Sequence, residues 1–133
     1  MFIILVIMAA VNTERDNHVF PLFLKAKSVT VDDSASDITL SVDTSTNILN
    51  IDGNTNNGIT LPDGKIVGQV MTVYMKAGSS TNFATVTITS AVDAAYDSIK
   101  LAGEGEYFTC IWNGEAWGLV SAATSGIAAA DIG

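Results

Sequence analysis

A chain of 133 residues that is 48% hydrophobic and 15% charged is sized for one domain with one core and is too apolar for global disorder. Its formal net charge of −8 and six scattered basic residues exclude a nucleic-acid surface, which needs Lys and Arg clustered against phosphates. Low charge combined with high apolar content points to surface that is covered in an oligomer.

The first ten residues, MFIILVIMAA, resemble the apolar part of a secretory signal. No basic residue precedes Arg15, so the charged start of such a signal is missing. The run is also shorter than the roughly 20 apolar residues that span a bilayer, so no membrane partner is expected. Aromatic and β-branched residues dominate it, which predicts a buried strand, and an uncovered strand of this kind would aggregate. Residues 12–18 form a polar linker containing Asp16 and His18. In the following VFPLFLKA, Pro21 demotes the run to an edge strand or extended arm. Residues 1–27 thus read as an N-terminal arm. Phe2, Ile4, Val6, Phe20, Leu22 and Phe23 are its candidate partner contacts, adding a strand to a neighbour's sheet.

From residue 28 to 121 the pattern changes to short alternating strands separated by turns, a single β-domain. Val29 and Val31 share a face, as do Ile38, Leu40 and Val42, then Leu49 and Ile51. Residues 52–58, DGNTNNG, are a turn-rich loop, and Pro62-Asp63-Gly64 is a turn. Met71, Val73 and Met75 oppose Val70, Thr72 and Tyr74, and Ala84, Val86 and Ile88 oppose Thr85, Thr87 and Thr89. Residues 90–98 suit one helical turn or a loop. Strands follow in SIKLAG and EYFTCIWNGEAWGLVS. The expected fold is all-β: an antiparallel β-sandwich, jelly-roll-like or β-barrel domain, with extended N-terminal and C-terminal arms. Residues 122–133, rich in Ala and Gly, read as the C-terminal tail.

The residues offer little chemistry. Cys110 is the sole cysteine, so it forms no internal disulfide, and its place in a strand predicts a buried, inert thiol. His18 beside Asp16 lacks a nucleophile motif and a second metal ligand. Asp52, Asn54, Asn56 and Asp63 have part of a calcium-loop spacing, but the glycine comes one place late, at Gly58. Glu104 and Glu106 flank Gly105 ahead of a strand, too weak a pair for a glycosidase. No enzyme, metal or cofactor is expected.

The two tryptophans bracket Asn113-Gly114, a strong hairpin turn signal. A two-residue loop would set Cys110 across from Trp117. A four-residue loop, residues 113 to 116, would set Trp112 directly across from Trp117. Either pairing pins the register of a terminal hairpin. The same rings, with Tyr107, are candidate ligand or interface aromatics.

The strings LPDGKIVGQVMTVYMKAGSSTNFATVTI and EYFTCIWNGEAWGLVS resemble the β-domains of tailed-phage virion proteins. That family includes capsid decoration (cement) proteins, head fibres and tail-fibre-like proteins. The resemblance covers roughly residues 47–121 and rests on a turn-Gly segment, a Val-Gly-Gln step, a long alternating strand, a Thr/Val-rich strand and the W-x-G-x-x-W hairpin. It implies a non-enzymatic virion component, commonly a homotrimer, placed on the capsid surface with the major capsid protein as partner. The alternative is a tail-fibre, receptor-binding or carbohydrate-binding β-module that uses Trp112, Trp117 and Tyr107 to grip a glycan. That alternative predicts an exposed aromatic platform.

Overall fold

The computed structural model describes residues 25–31, 37–51, 58–78 and 83–124. The arm residues Phe2, Ile4, Val6, Phe20, Leu22 and Phe23, the Asp16–His18 pair, the calcium-like positions 52–57 and tail residues 125–133 lie outside these ranges. Among the described residues nine strands are formed: β1 (Ala26–Val31), β2 (Asp37–Thr39), β3 (Thr46–Ile51), β4 (Gly58–Leu61), β5 (Val70–Ala77), β6 (Ala84–Ile88), β7 (Ser98–Leu101), β8 (Tyr107–Trp112) and β9 (Trp117–Ala123). A single 3-10 turn, Ala94–Tyr96, sits between β6 and β7 and is the one helical turn among the described residues. It falls in the segment for which the sequence leaves a helical turn or a loop open.

The strands make two mixed sheets, a five-stranded one in the order β1-β3-β5-β8-β9 and a four-stranded one in the order β2-β4-β6-β7. From β1 to β6 successive strands alternate between the sheets. Within each sheet the first three are parallel: β1 with β3 with β5, and β2 with β4 with β6. The chain therefore winds as three turns, each giving one strand to each sheet, and closes with antiparallel strands: β7 on β6, β8 on β5, and β9 on β8.

This corrects the expected antiparallel arrangement and excludes a closed barrel. Parallel and antiparallel strands share the same two-residue side-chain period, so alternation does not reveal a strand's neighbour. The connection decides it. Residues 32–45 lie between β1 and β3, and residues 52–69 between β3 and β5. Both are long enough for the crossover a parallel pair requires, and each carries a strand of the other sheet on the way. Among the described residues the outermost strands are β1 and β9 in one sheet and β2 and β7 in the other, with Ala91 bridging Trp117 at the start of β9.

Inward-facing residues of both sheets form one core cluster. Leu49, Met71, Val73, Met75, Phe108, Cys110 and Trp117 come from the five-stranded sheet, and Ile59, Leu61, Val86, Ile99 and Leu101 from the four-stranded one. The faces expected for β3, β5 and β6 are the faces buried, with Val29, Ile38 and Val42 packed partly against them. Burying such a set supplies the main driving force for the fold, at about 1.5–3 kcal/mol for each large aliphatic or aromatic side chain.

Candidate functional site

The residues that carry the sequence motifs converge on one place, the junction between the 62–69 loop, the β8–β9 hairpin and the segment after β6. The hairpin has the four-residue loop. Trp112 pairs directly with Trp117, and the Asn113 amide donates to the Ala116 carbonyl at 3.1 Å. The Asn113 side chain completes the turn, its Oδ1 accepting from the amides of Glu115 at 2.9 Å and Ala116 at 2.8 Å. Gly114 takes φ +106°, a left-handed conformation that glycine adopts without strain. The indoles meet edge-on, with centroids 5.3 Å apart and planes at 60°, a geometry worth about 0.5–1.5 kcal/mol beyond burial.

Trp117 ties three segments together. Its backbone amide donates to Ser90 O at 2.7 Å, and its carbonyl accepts from the Val92 amide at 2.9 Å. Its Nε1–H donates to the Pro62 carbonyl at 2.9 Å. The strand end of one sheet is thereby bonded to the loop leaving the other, and both to the turn between β4 and β5.

That turn is shaped for Trp112. A Cβ placed on Gly64 would stand 2.3 Å from Trp112 Cγ, so the indole lies directly on the glycine backbone. The amide of Gly68, a residue at φ +87°, donates to the Trp112 carbonyl at 2.8 Å, and the Trp112 amide donates to Gln69 O at 2.9 Å. The Pro-Asp-Gly turn and the Gly-Gln step are thus two contact points for one tryptophan.

Two buried amide side chains brace the same end of the molecule. Gln69 is 6% exposed. Its Oε1 accepts from the Lys65 amide at 2.8 Å, and its Nε2 donates to Val42 O at 2.6 Å. Asn47, fully buried, exchanges both backbone bonds with Ser41: Oδ1 accepts from its amide at 3.2 Å and Nδ2 donates to its carbonyl at 3.0 Å. Asn47 Nδ2 also lies 3.2 Å from Met71 Sδ. These braces fix the connection from β2 to β3 against the start of β5. Sequence reasoning passed over both, although a signal was present. Gln69 keeps phase with Met71, Val73 and Met75, and Asn47 with Leu49 and Ile51, so each is a polar residue on a buried row.

The remaining candidates fall into place singly. Tyr107 is half-buried, its hydroxyl 3.2 Å from Ser121 Oγ on the neighbouring strand. Trp112 is 6% exposed and Trp117 fully buried, so the two rings are core side chains rather than an open platform. Glu106 Oε2 accepts from the Ala102 amide at 2.7 Å and shapes the turn between β7 and β8. Cys110 is fully buried, and burial pushes its thiol up to about 12. The exposed Asp43 carboxylate is held below its ordinary range by hydrogen bonding to the Lys65 ammonium and by that charge. Asp63 is exposed on its turn. Among the described residues no group of three or more His, Cys, Asp or Glu is placed to hold a metal ion. Nor, among them, is any helix long and apolar enough to cross a membrane.

The chain matches no protein-family model and no curated protein.

Proposed function

We propose that the chain is a non-enzymatic structural component of a tailed-phage particle, seated as an oligomer on the outer capsid surface with the major capsid protein as partner. The same reading takes the two sheets as the faces of a sandwich-like body. One observation carries it. The residues behind the resemblance (Pro62 to Gly64, Gly68, Gln69, Trp112 and Trp117) are engaged with one another in holding the body together. A motif consumed internally in this way belongs to a building block, whereas a recognition motif directs its aromatic rings and polar groups outward. The low charge and the apolar N-terminal run support a protein that spends its surface on neighbours.

The test is gold labelling, with an antibody against the chain, of gradient-purified phage particles whose genome encodes it. Label on heads supports the proposal. Label on tail fibres would favour the receptor-binding alternative, and unlabelled particles would sink both. The glycan alternative has its own measurement: saturable binding on a glycan array that is lost in Trp117→Ala but kept in a folded control such as Thr87→Ala.

A further inference from the structure

The face of the five-stranded sheet turned away from the core has three rows of side chains, read from the strand registers. One row holds Ile48, Tyr74 and Tyr107; the middle row holds Thr46, Thr72, Thr109 and Ser121; the third holds Val70, Ile111 and Gly118. No charged residue stands in any of the three, although the chain carries 14 acidic and six basic residues; Lys76, exposed, stands at the rim. Tyr74 and Ile111 are each 39% exposed, and Val92 and Val120, at 56% and 60%, extend the patch at the β9 side. The outer face of the other sheet lacks this character, for Asp37 and Lys100 lie in its row with Gly58 and Thr85.

The sheet edges are guarded against pairing. Lys27, exposed, sits opposite the buried Asn47 on edge strand β1, and a lysine on an edge strand discourages addition of a further strand. Edge strand β9 is broken by a register shift opposite Thr109 and Cys110, a second such device. The uncharged face carries no guard.

The geometry points to this face as a contact between two copies of the chain, packed sheet on sheet about a two-fold axis that runs along the hydroxyl row. Such a rotation keeps each strand's place across the sheet and reverses its direction. It lays Tyr107 of one copy on Ile111 of the other and Tyr74 on Val70, while Thr72 and Thr109 meet their own counterparts. The order apolar, hydroxyl, apolar is self-complementary under that operation, as an isologous contact requires. The hydroxyls do not oppose burial. Thr72 Oγ1 and Thr109 Oγ1 already bond each other at 2.9 Å, and Tyr107 bonds Ser121. Charge selects the occupant: copies with net charge −8 repel over most of their surfaces and approach most easily where neither presents a charge.

Five strands about 4.8 Å apart and rows about 7 Å apart make a face of roughly 400 Å². A stable complex buries about 800 Å² per partner, so the pairing is of the weak, concentration-dependent kind. It goes beyond the virion proposal and does not depend on it. It also differs from the three-fold assembly that the resemblance implies.

Sedimentation velocity of the full chain over a hundredfold concentration range tests it. The expected result is a mass rising from one chain toward two, held at one chain in Ile111→Glu and in Tyr74→Lys, and unchanged from wild type in Thr87→Glu on the other sheet. Circular dichroism and the melting temperature identify which variants are folded, and two face variants guard against one that is not. Association of both folded face variants at wild-type strength, a discrete trimer insensitive to them, or a wild type that stays monomeric throughout would each overturn the pairing. Particle labelling, not mass, decides the virion proposal, so the two can fail separately.

Discussion

The indole N–H of Trp117 donates to the carbonyl of Pro62, 55 residues earlier in the chain, at 2.9 Å. This bond joins β9 to the turn between β4 and β5, and it gives a polar partner to a ring with no exposed surface. Replacing Trp117 by Phe removes the donor, strands the Pro62 carbonyl and opens a gap beside Trp112. The expected loss is about 2–4 kcal/mol of unfolding free energy, measured by urea titration against wild type.

Gly64 and Gly68 are both required, for different reasons. A methyl group at position 64 would collide with Trp112 Cγ at 2.3 Å, and a ring that is 6% exposed has no room to withdraw. Gly64→Ala should cost about 2–3 kcal/mol through overpacking. Around Gly68 nothing lies within 4 Å of an added Cβ, but its φ is +87°. Gly68→Ala should therefore cost only about 1–2 kcal/mol, from backbone strain alone. Tryptophan fluorescence separates the two, since only the first substitution disturbs the indole pair in the folded state.

Gln69→Met preserves volume and deletes both side-chain hydrogen bonds, leaving the Lys65 amide and the Val42 carbonyl without this partner. A loss of about 1–3 kcal/mol is expected. Hydrogen exchange should rise first at Lys65, whose amide loses its acceptor, while the β8–β9 hairpin stays protected.

Cys110 supplies a pH dependence with a definite sign. Its thiol ionises at the ordinary 9.0 when unfolded and at about 12 when folded. Between these values the unfolded chain binds fewer protons than the native one, so stability falls as pH rises. The contribution is complete below pH 9 and is lost as the pH rises toward 12, about 4 kcal/mol over the whole window. Cys110→Ala should remove this component while lowering stability uniformly at neutral pH. Thiol alkylation should follow unfolding, with no reaction of the native protein on the same timescale.

Much of the strand layout was legible in the residues. Met71, Val73 and Met75, or Ala84, Val86 and Ile88, declare their inward face by alternation, and each set is buried. Asn113-Gly114 declares the last hairpin. Partner choice was not legible, because alternation says which side of a strand is buried and nothing about which strand lies beside it. Val29 could have faced any inward residue; that it lies beside Leu49 depends on the intervening chain crossing to the other sheet and back. The junction was half legible. Pro62-Asp63-Gly64 and the tryptophan pair each signalled a turn or a hairpin, but no local rule connects residues 55 positions apart. Gln69 and Asn47 were overlooked because a polar side chain on a buried row reads as an interruption until its hydrogen-bond partners are known.

The winding of the chain also bears on the order in which the protein forms during synthesis. β8 lies against β5 near the middle of the five-stranded sheet, yet it follows β1 to β7 out of the ribosome. The hairpin of β8 and β9 closes over a short loop and is fast to form, while every parallel pair must first close a long one. A nascent chain that stops before Trp117 carries β1 to β8 with Pro62, Ser90 and Val92 lacking the residue that joins them. Folding of this body is therefore expected to wait for β8 and β9 and to proceed backward from their hairpin.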